Sequence, residues 1–483
     1  MLFSSLIFLW YFLPAVLILY YCLKSLRWKN TLLLLASICF YAWGEPKYVV
    51  LMVISIAFNY LFGLLAADRR HPMAGRFFVA LAVAVNLGLL GYFKYFNFFG
   101  GLLNAVFGRQ LLGAREIALP IGISFYTFQA LSYVIDVSRG TISAQKNPWK
   151  LALYVSFFPQ LIAGPIVKYH DIGAQLSART TTWQKSAYGV KRFSFGLGKK
   201  VILANTFAAV VDRVLQTPSQ DLAGRGLILF AILLYSLQIY YDFSGYSDMA
   251  IGLGKLFGFD FMENFNYPYL SMSIREFWRR WHISLSTWFR EYVYIPLGGN
   301  RKGNARTYVN LFVVFLTTGL WHGAGANFVL WGAYYGVFIV AERLFLGDIL
   351  ERLKEKKLRL GQSCSISLGI VNRVYTLAVV YFGWLMFRAE NLSQMKLLVR
   401  TVISGGPGHY TVPMFADNRV YFWLAVGLLL CGPLQAVCRP LSQWLYDEEH
   451  TGWLDVAVMA ALLLFCTMLL VNNTYNPFIY FRF

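Results

Sequence analysis

Apolar residues run along this chain in long blocks separated by short basic stretches, and one block is unusually long. From 307 to 341 there is no Lys, Arg, Asp or Glu. As one helix, this run of about 35 residues would measure about 52 Å, against a hydrocarbon core of roughly 30 Å. The pattern therefore predicts two helices that are broken near Gly323-Ala324-Gly325-Ala326.

Blocks of the same kind recur throughout the sequence and predict an all-α polytopic membrane protein with roughly 11–13 transmembrane helices. Two shorter blocks, 150–167 and 249–258, are predicted not to cross, and the first is interpreted as re-entrant. The predicted crossings lie at 3–22, 31–44, 47–67, 77–96, 118–137, 200–217, 222–241, 308–322, 327–341, 368–387, 419–437 and 453–471.

The distribution of Lys and Arg orients these crossings, because cytoplasmic loops carry an excess of both. With every basic loop in the cytoplasm, including 185–200 and 275–306, the crossings pair off and both termini lie outside. The chain is then predicted as one membrane domain over 1–471, with its site region at 260–345. Residues 472–483 are predicted to form an extracytoplasmic aromatic tail.

The composition supports a membrane protein and excludes several other classes. The chain is 58% hydrophobic and 14% charged, with a formal net charge of +20. In a soluble protein that charge would suggest nucleic acid, but here it lies in loops between apolar blocks, where anionic lipid is the expected partner. Six scattered Cys form neither a CxxC pair nor a disulfide framework, so no metal site is predicted.

His322 lies at the predicted helix break and is the first candidate functional residue. An ionisable side chain at membrane depth is costly and therefore indicates function. Its imidazole suits general acid–base catalysis. A hydrogen-bonded structural histidine and a proton or ion relay remain alternatives.

A second histidine lies in segment 273–290, where apolar residues recur with a helical period and Arg275, Arg279 and Arg280 cover the other side. The pattern predicts an amphipathic helix at the cytoplasmic interface. A plain membrane-surface helix would explain it, but His282 points with the apolar face, which lipid binding does not require. Two inward histidines could activate a hydroxyl group against a thioester.

Other polar residues carry weaker signals. Asp136, Asp242 and Asp248 are interpreted as hydrogen-bonding residues at helix ends rather than as a proton relay, which would need more intramembrane acids and bases. The sequence contains no Walker A, HExxH or GxSxG motif, so no nucleotide site, zinc protease or internal esterase is predicted.

Several segments together resemble a known family, the membrane-bound O-acyltransferases, in the bacterial branch that acetylates cell-envelope polymers. The resemblance covers essentially the whole chain in order. The segments that carry it are MLFSS at 1–5, FYAW at 40–43, LPIGISFYTFQ at 119–129, FPQLIAGP at 158–165, YDFSGYSD at 241–248, FWRRWH at 277–282, YIPLGG at 294–299, WHG at 321–323 and FIYFRF at 478–483.

The resemblance implies a ring of helices, with re-entrant and interfacial helices, around a thin central floor. It implies that His322 is the family's invariant histidine and that His282 is the second catalytic residue. An acyl thioester, either acetyl-coenzyme A or an acyl carrier protein, would approach from the cytoplasm as substrate, with no bound cofactor. The implied location is the bacterial inner membrane, with an extracytoplasmic esterase-like acetyltransferase as partner.

The resemblance also gives the aromatic tail a role. Tyr480 could take the acyl group from the thioester and pass it on, or it could be a plain aromatic anchor at the interface. Two alternative functions remain: D-alanyl transfer to teichoic acid from a carrier protein, and non-covalent transport of an acyl-carrying lipid.

Overall fold

The computed structural model describes most of the chain. The described residues are 1–67, 72–162, 164–217, 224–355, 357–359, 365–367, 369–406, 408–472 and 475–478. The proposed relay residue Tyr480 lies outside them.

The first half of the chain is built from helices, several of them continued through π-helical turns. Three match predicted blocks closely, and the predicted re-entrant stretch contains two short helices. The helices are α1 (Phe8–Cys22), α2 (Leu26–Gly44), α3 (Tyr48–Ala66), α4 (Met73–Phe107), α5 (Ile123–Arg139), α6 (Pro148–Ser156), α7 (Phe158–Leu161), α8 (Tyr169–Ile172) and α9 (Trp183–Leu215).

The second half continues in the same way and adds one antiparallel pair of short strands, β1 (Lys357–Arg359) and β2 (Ser365–Ser367). Its helices are α10 (Arg225–Leu256), α11 (Ile274–Arg280), α12 (Ile283–Phe289), α13 (Asn304–His322), α14 (Ala326–Glu355), α15 (Gly369–Arg388), α16 (Leu392–Ser404), α17 (Asn418–Val437), α18 (Arg439–Tyr446) and α19 (Trp453–Asn472).

Eight helices among the described residues are long and apolar enough to cross a membrane: α3, α4, α9, α10, α14, α15, α17 and α19. The prediction of an all-α polytopic membrane protein is confirmed. The count of about twelve crossings and the orientation of the loops stay predictions.

Two predicted boundaries are wrong. The block predicted at 249–258 is not separate from the one at 222–241, because the single helix α10 runs from Arg225 to Leu256, and the predicted basic loop at 185–200 lies inside α9. Charged side chains can lie inside these long helices because they are paired within the protein. Lys191 pairs with Asp455 at 2.7 Å and Arg192 with Asp248 at 2.6 Å.

The described chain divides into two compact units, to both of which α9 and α10 contribute. The first contains 1–197, 246–262 and 447–474, and the second contains 198–245, 263–446 and 475–483. The core of the second unit is rich in Trp, Tyr and Phe, including Trp331, Trp384 and Tyr335. The single membrane domain over 1–471 stays a prediction.

Helices α13 and α14 form the hairpin predicted for 307–341, with α13 ending at His322 and α14 starting at Ala326. Glycines let the two backbones approach closely. A Cβ atom on Gly319 would lie 2.3 Å from the carbonyl oxygen of Phe328, and one on Gly332 would lie 2.5 Å from that of Phe315. This close contact, typical of small residues between membrane helices, fixes the end of α13 and therefore the position of His322.

Candidate active site

His322 is the last residue of α13, and its side chain is enclosed by aromatic rings. It is 7% exposed. The imidazole centroid lies 4.9 Å from the Trp321 ring, 5.2 Å from the Trp331 ring and 5.1 Å from the Phe387 ring. The predicted placement of His322 at a helix break inside the protein is confirmed.

His282 lies at a break that the sequence did not predict. The expected continuous helix over 273–290 is instead two helices, α11 and α12, and His282 lies between them with a left-handed backbone (φ 45°, ψ 55°). The amphipathic character is as predicted, since Arg275 and Arg279 are exposed whereas Phe277 is buried. The break turns the His282 side chain into the second unit, where it is 1% exposed.

The two histidines share one aromatic neighbour. Trp321 lies 6.0 Å from the His282 ring and 4.9 Å from the His322 ring, measured between centroids. Phe243 packs edge-on against His282 at 4.5 Å. Burial, with the neighbouring His322 as the smaller cause, lowers the pKa of His282 well below its usual value near 6.5. A neutral imidazole in an apolar enclosure can accept a proton, as a general base must.

The start of α11 is held by a carboxylate from α14. Glu342 accepts hydrogen bonds from the backbone N–H groups of Ile274 at 2.6 Å and Arg275 at 2.9 Å. These N–H groups have no partner within the helix, and negative charge is favoured at a helix N-terminus. Glu342 therefore links the hairpin that carries His322 to the helix that precedes His282.

The segment that follows α19 is fixed to the second unit by polar and charged side chains. Tyr475 donates to Asp212, the Asn205 amide donates to Asn476 at 3.1 Å, and Lys200 donates to the Pro477 carbonyl. Phe478 is buried. The aromatic tail is therefore anchored up to two residues before Tyr480.

Two of the three acidic residues interpreted as helix-end groups have other positions. Asp242 and Asp248 lie inside α10, and Asp242 pairs with Lys200 at 2.8 Å between two buried side chains. Asp136 lies in the last turn of α5, as interpreted, and contacts His170 at 3.2 Å. In the part of the chain that the structure describes, no cluster of three or more His, Cys, Asp and Glu side chains could hold a metal ion.

Sequence reasoning missed Asn264, Glu342 and the Asp212–Arg388 pair, which is formed at 2.8 Å. Lys200 and Asp242 did offer a signal for their ion pair, because each is a charged residue at the edge of a predicted crossing. Asn264 and Glu342 offered none, since their partners lie about 20 and 70 residues away and polar residues of these types are common near helix ends.

These observations define the class of protein. It is a multi-helix membrane protein in which a helical hairpin and a broken helix hold two buried histidines. The profile of the MBOAT, membrane-bound O-acyltransferase family, matches residues 137–348.

Three curated relatives extend that match. The probable alginate O-acetylase of Pseudomonas putida is 40% identical over the full length of both chains. The probable alginate O-acetylase of Pseudomonas aeruginosa is 46% identical over 84% of this chain and 75% of its own. The peptidoglycan O-acetyltransferase of Helicobacter pylori is 32% identical over 100% of this chain and 98% of its own. The chain belongs to the membrane-bound O-acyltransferase family and is an O-acyltransferase, as the resemblance implied.

Proposed function

We propose that this protein takes an acetyl group from a cytoplasmic thioester and passes it across the membrane for O-acetylation of an exported polysaccharide or peptidoglycan. The relatives that match the full length of the chain are named for O-acetylation of alginate and of peptidoglycan. The observation that carries the chemistry is the pair of buried histidines packed on Trp321.

His322 and His282 are proposed to act together on an acceptor hydroxyl. A histidine nitrogen removes the hydroxyl proton as the oxygen attacks the thioester carbonyl carbon. The new C–O bond forms, the C–S bond breaks, and the proton passes to the departing thiolate. The aromatic enclosure excludes water, which would otherwise hydrolyse the thioester.

The first acceptor is proposed to be the phenol of Tyr480, which would then hand the acetyl group on outside. Anchoring of residues 475–478 in the unit that holds both histidines supports this role. An extracytoplasmic esterase-like acetyltransferase is the expected next carrier. The proposed location is the bacterial inner membrane, where the basic surface from 275 to 306 would face anionic lipid or an acidic acyl carrier.

The test uses the full-length protein in lipid nanodiscs with acetyl-coenzyme A labelled in the acetyl group. Wild-type protein should carry label on its C-terminal peptide, located by mass spectrometry. In His322→Ala and in His282→Ala, the labelling rate should fall by about 10²–10⁴-fold. His450→Ala is the matched control, because its side chain is 82% exposed.

Each outcome addresses a separate part of the proposal. Full labelling in His322→Ala would overturn the catalytic assignment. A C-terminal peptide labelled in Tyr480→Phe at the wild-type level would overturn the assignment of the relay to that phenol. Labelling by a D-alanyl carrier protein, with none from any acetyl donor, would overturn the acetyl assignment.

A further inference from the structure

The backbone at His282 needs support from outside its own segment. Among the described residues, only Tyr267 and His282 are non-glycine residues with positive φ. A left-handed backbone is unfavourable for a residue with a Cβ atom and persists only where surrounding structure enforces it. His282 also starts α12 without a capping hydrogen bond from its own side chain.

Residues 264–266 supply that support. They run antiparallel to 280–283, with an isolated bridge between Phe265 and Trp281. The Asn266 N–H donates to the Arg280 carbonyl at 2.9 Å, and the Ile283 N–H donates to the Asn264 carbonyl at 3.0 Å. The pairing places the fully buried Asn264 side chain against the turn that contains His282.

The Asn264 side-chain oxygen faces donors at the start of α12. It accepts from the Ser284 N–H at 3.1 Å and from the Ser284 hydroxyl at 2.9 Å, and it lies 3.2 Å from Nδ1 of His282. It replaces the missing N-cap, because the Ser284 N–H is one of the first N–H groups of the helix, which have no partner within it.

These contacts determine the orientation of the amide. A backbone N–H only donates, so the Asn264 atom facing it is the oxygen and not the NH₂ group. Nδ1 of His282 can hydrogen-bond to that oxygen only as the donor, with the hydrogen on Nδ1. The Ser284 hydroxyl lies closer to the Asn264 oxygen, at 2.9 Å, than to Nδ1, at 3.4 Å, which favours donation to the amide oxygen.

We propose that Asn264 is a positioning residue that holds His282 as the tautomer protonated on Nδ1, so that Nε2 carries the lone pair. This proposal rests on the proposed function, and it gives the two histidines different roles. A neutral His282 accepts a proton or hydrogen bond at Nε2 and cannot donate from that atom to a developing oxyanion.

The first experiment reads the tautomer without any activity. Full-length protein labelled with ¹⁵N-histidine is measured in lipid by solid-state NMR. Because the chain has six histidines, the signals that disappear in His282→Gln identify the residue. A protonated Nδ1 with an unprotonated Nε2 is expected in wild type, and a mixture of tautomers in Asn264→Ala. A wild-type His282 protonated on Nε2 would overturn the proposal.

The second experiment measures release of free thiol from acetyl-coenzyme A as a function of pH. Asn264→Ala should lower kcat by about 10–100-fold, a part of the 10²–10⁴ that acid–base catalysis supplies, with little change in KM. Asn264→Asp keeps an oxygen acceptor but adds a negative charge. That charge stabilises the protonated form of His282. The pH below which the rate falls, the acid limb of the pH–rate profile, should therefore rise by roughly 1–3 pH units.

Ser284→Ala is the matched control, since it removes the hydroxyl but keeps the N–H that orients the amide. It should keep the wild-type pH profile. If Ser284→Ala moved the acid limb while Asn264→Asp did not, the proposal would be wrong. If His282→Gln cleaved the thioester at the wild-type rate, the proposed function would fail, and the NMR result would still decide the role of Asn264.

Discussion

The Tyr475 phenol donates a hydrogen bond to the Asp212 carboxylate, whose other oxygen pairs with Arg388 at 2.8 Å. Asp212 and Arg388 are both buried. The three residues come from the ends of α9 and α15 and from the segment after α19. One buried carboxylate therefore joins the C-terminal segment to the helices of the second unit.

Removing that carboxylate should destabilise the protein strongly. Asp212→Ala removes the buried carboxylate that pairs with the Arg388 guanidinium and leaves only the exposed Glu390 at 4.0 Å, and breaking a buried pair typically costs about 3–5 kcal/mol. Thermal unfolding in detergent measures the effect. The double variant Asp212→Leu with Arg388→Met should recover much of the loss, because it buries no charge. The account would be contradicted if the double variant lost as much stability as Asp212→Leu and Arg388→Met lose when the two losses are added.

Tyr475→Phe tests the tail contact while keeping the charge pair. A hydrogen bond to a charged group contributes about 1.5–3 kcal/mol, so residues 475–478 should detach more often. Limited proteolysis from the C-terminal side, followed by mass spectrometry, should show faster cleavage than in wild type. The exposed Tyr421→Phe is the control and should be cleaved at the wild-type rate. Equal protection of both variants would mean that the phenol does not anchor the tail.

Glu342 should matter for both stability and catalysis, because it holds the helix that leads to His282. Glu342→Ala removes the acceptor for two N–H groups, at a cost of about 1–3 kcal/mol for each unsatisfied group. The rate of acyl transfer should fall with it. Glu342→Gln retains one side-chain oxygen as an acceptor and should therefore lose less stability and less of the acyl-transfer rate than Glu342→Ala. If Glu342→Ala unfolded at the wild-type temperature, the carboxylate would not be holding α11.

The helical hairpin at 307–341 could be predicted from the sequence because its determinants are local. Its length exceeds what one crossing needs, and Gly323 and Gly325 mark the break. A Cβ atom on Gly323 would lie 2.2 Å from the Phe328 ring, so the close turn depends on residues within six positions of one another. Length and glycine placement were sufficient there.

The break at His282 could not be predicted in the same way. Apolar residues continue with a helical period through 273–290, since α11 and α12 each bury one face, and the pattern does not record the turn between them. The turn depends on Asn264, which lies 18 positions from His282. The tail anchor was hidden for the same reason, because Asp212, Arg388 and Tyr475 are far apart in sequence.

Close packing of α13 on α14 should be sensitive to a single methyl group. Gly319→Ala would place its Cβ 2.3 Å from the Phe328 carbonyl oxygen, so a backbone must move. Overpacking of this kind typically costs about 1–3 kcal/mol. The displacement begins three residues before His322, so the rate of acyl transfer should also fall.

Gly226→Ala is the matched control for this prediction. Gly226 lies in α10, within the same unit, and nothing lies within 4 Å of the added methyl group. This variant should be unchanged or up to about 1 kcal/mol more stable, because alanine restricts the unfolded chain. Thermal unfolding and thiol release, measured on both variants in the same lipid, give the comparison. A Gly319→Ala protein with wild-type stability and rate would mean that the hairpin can separate without disturbing His322.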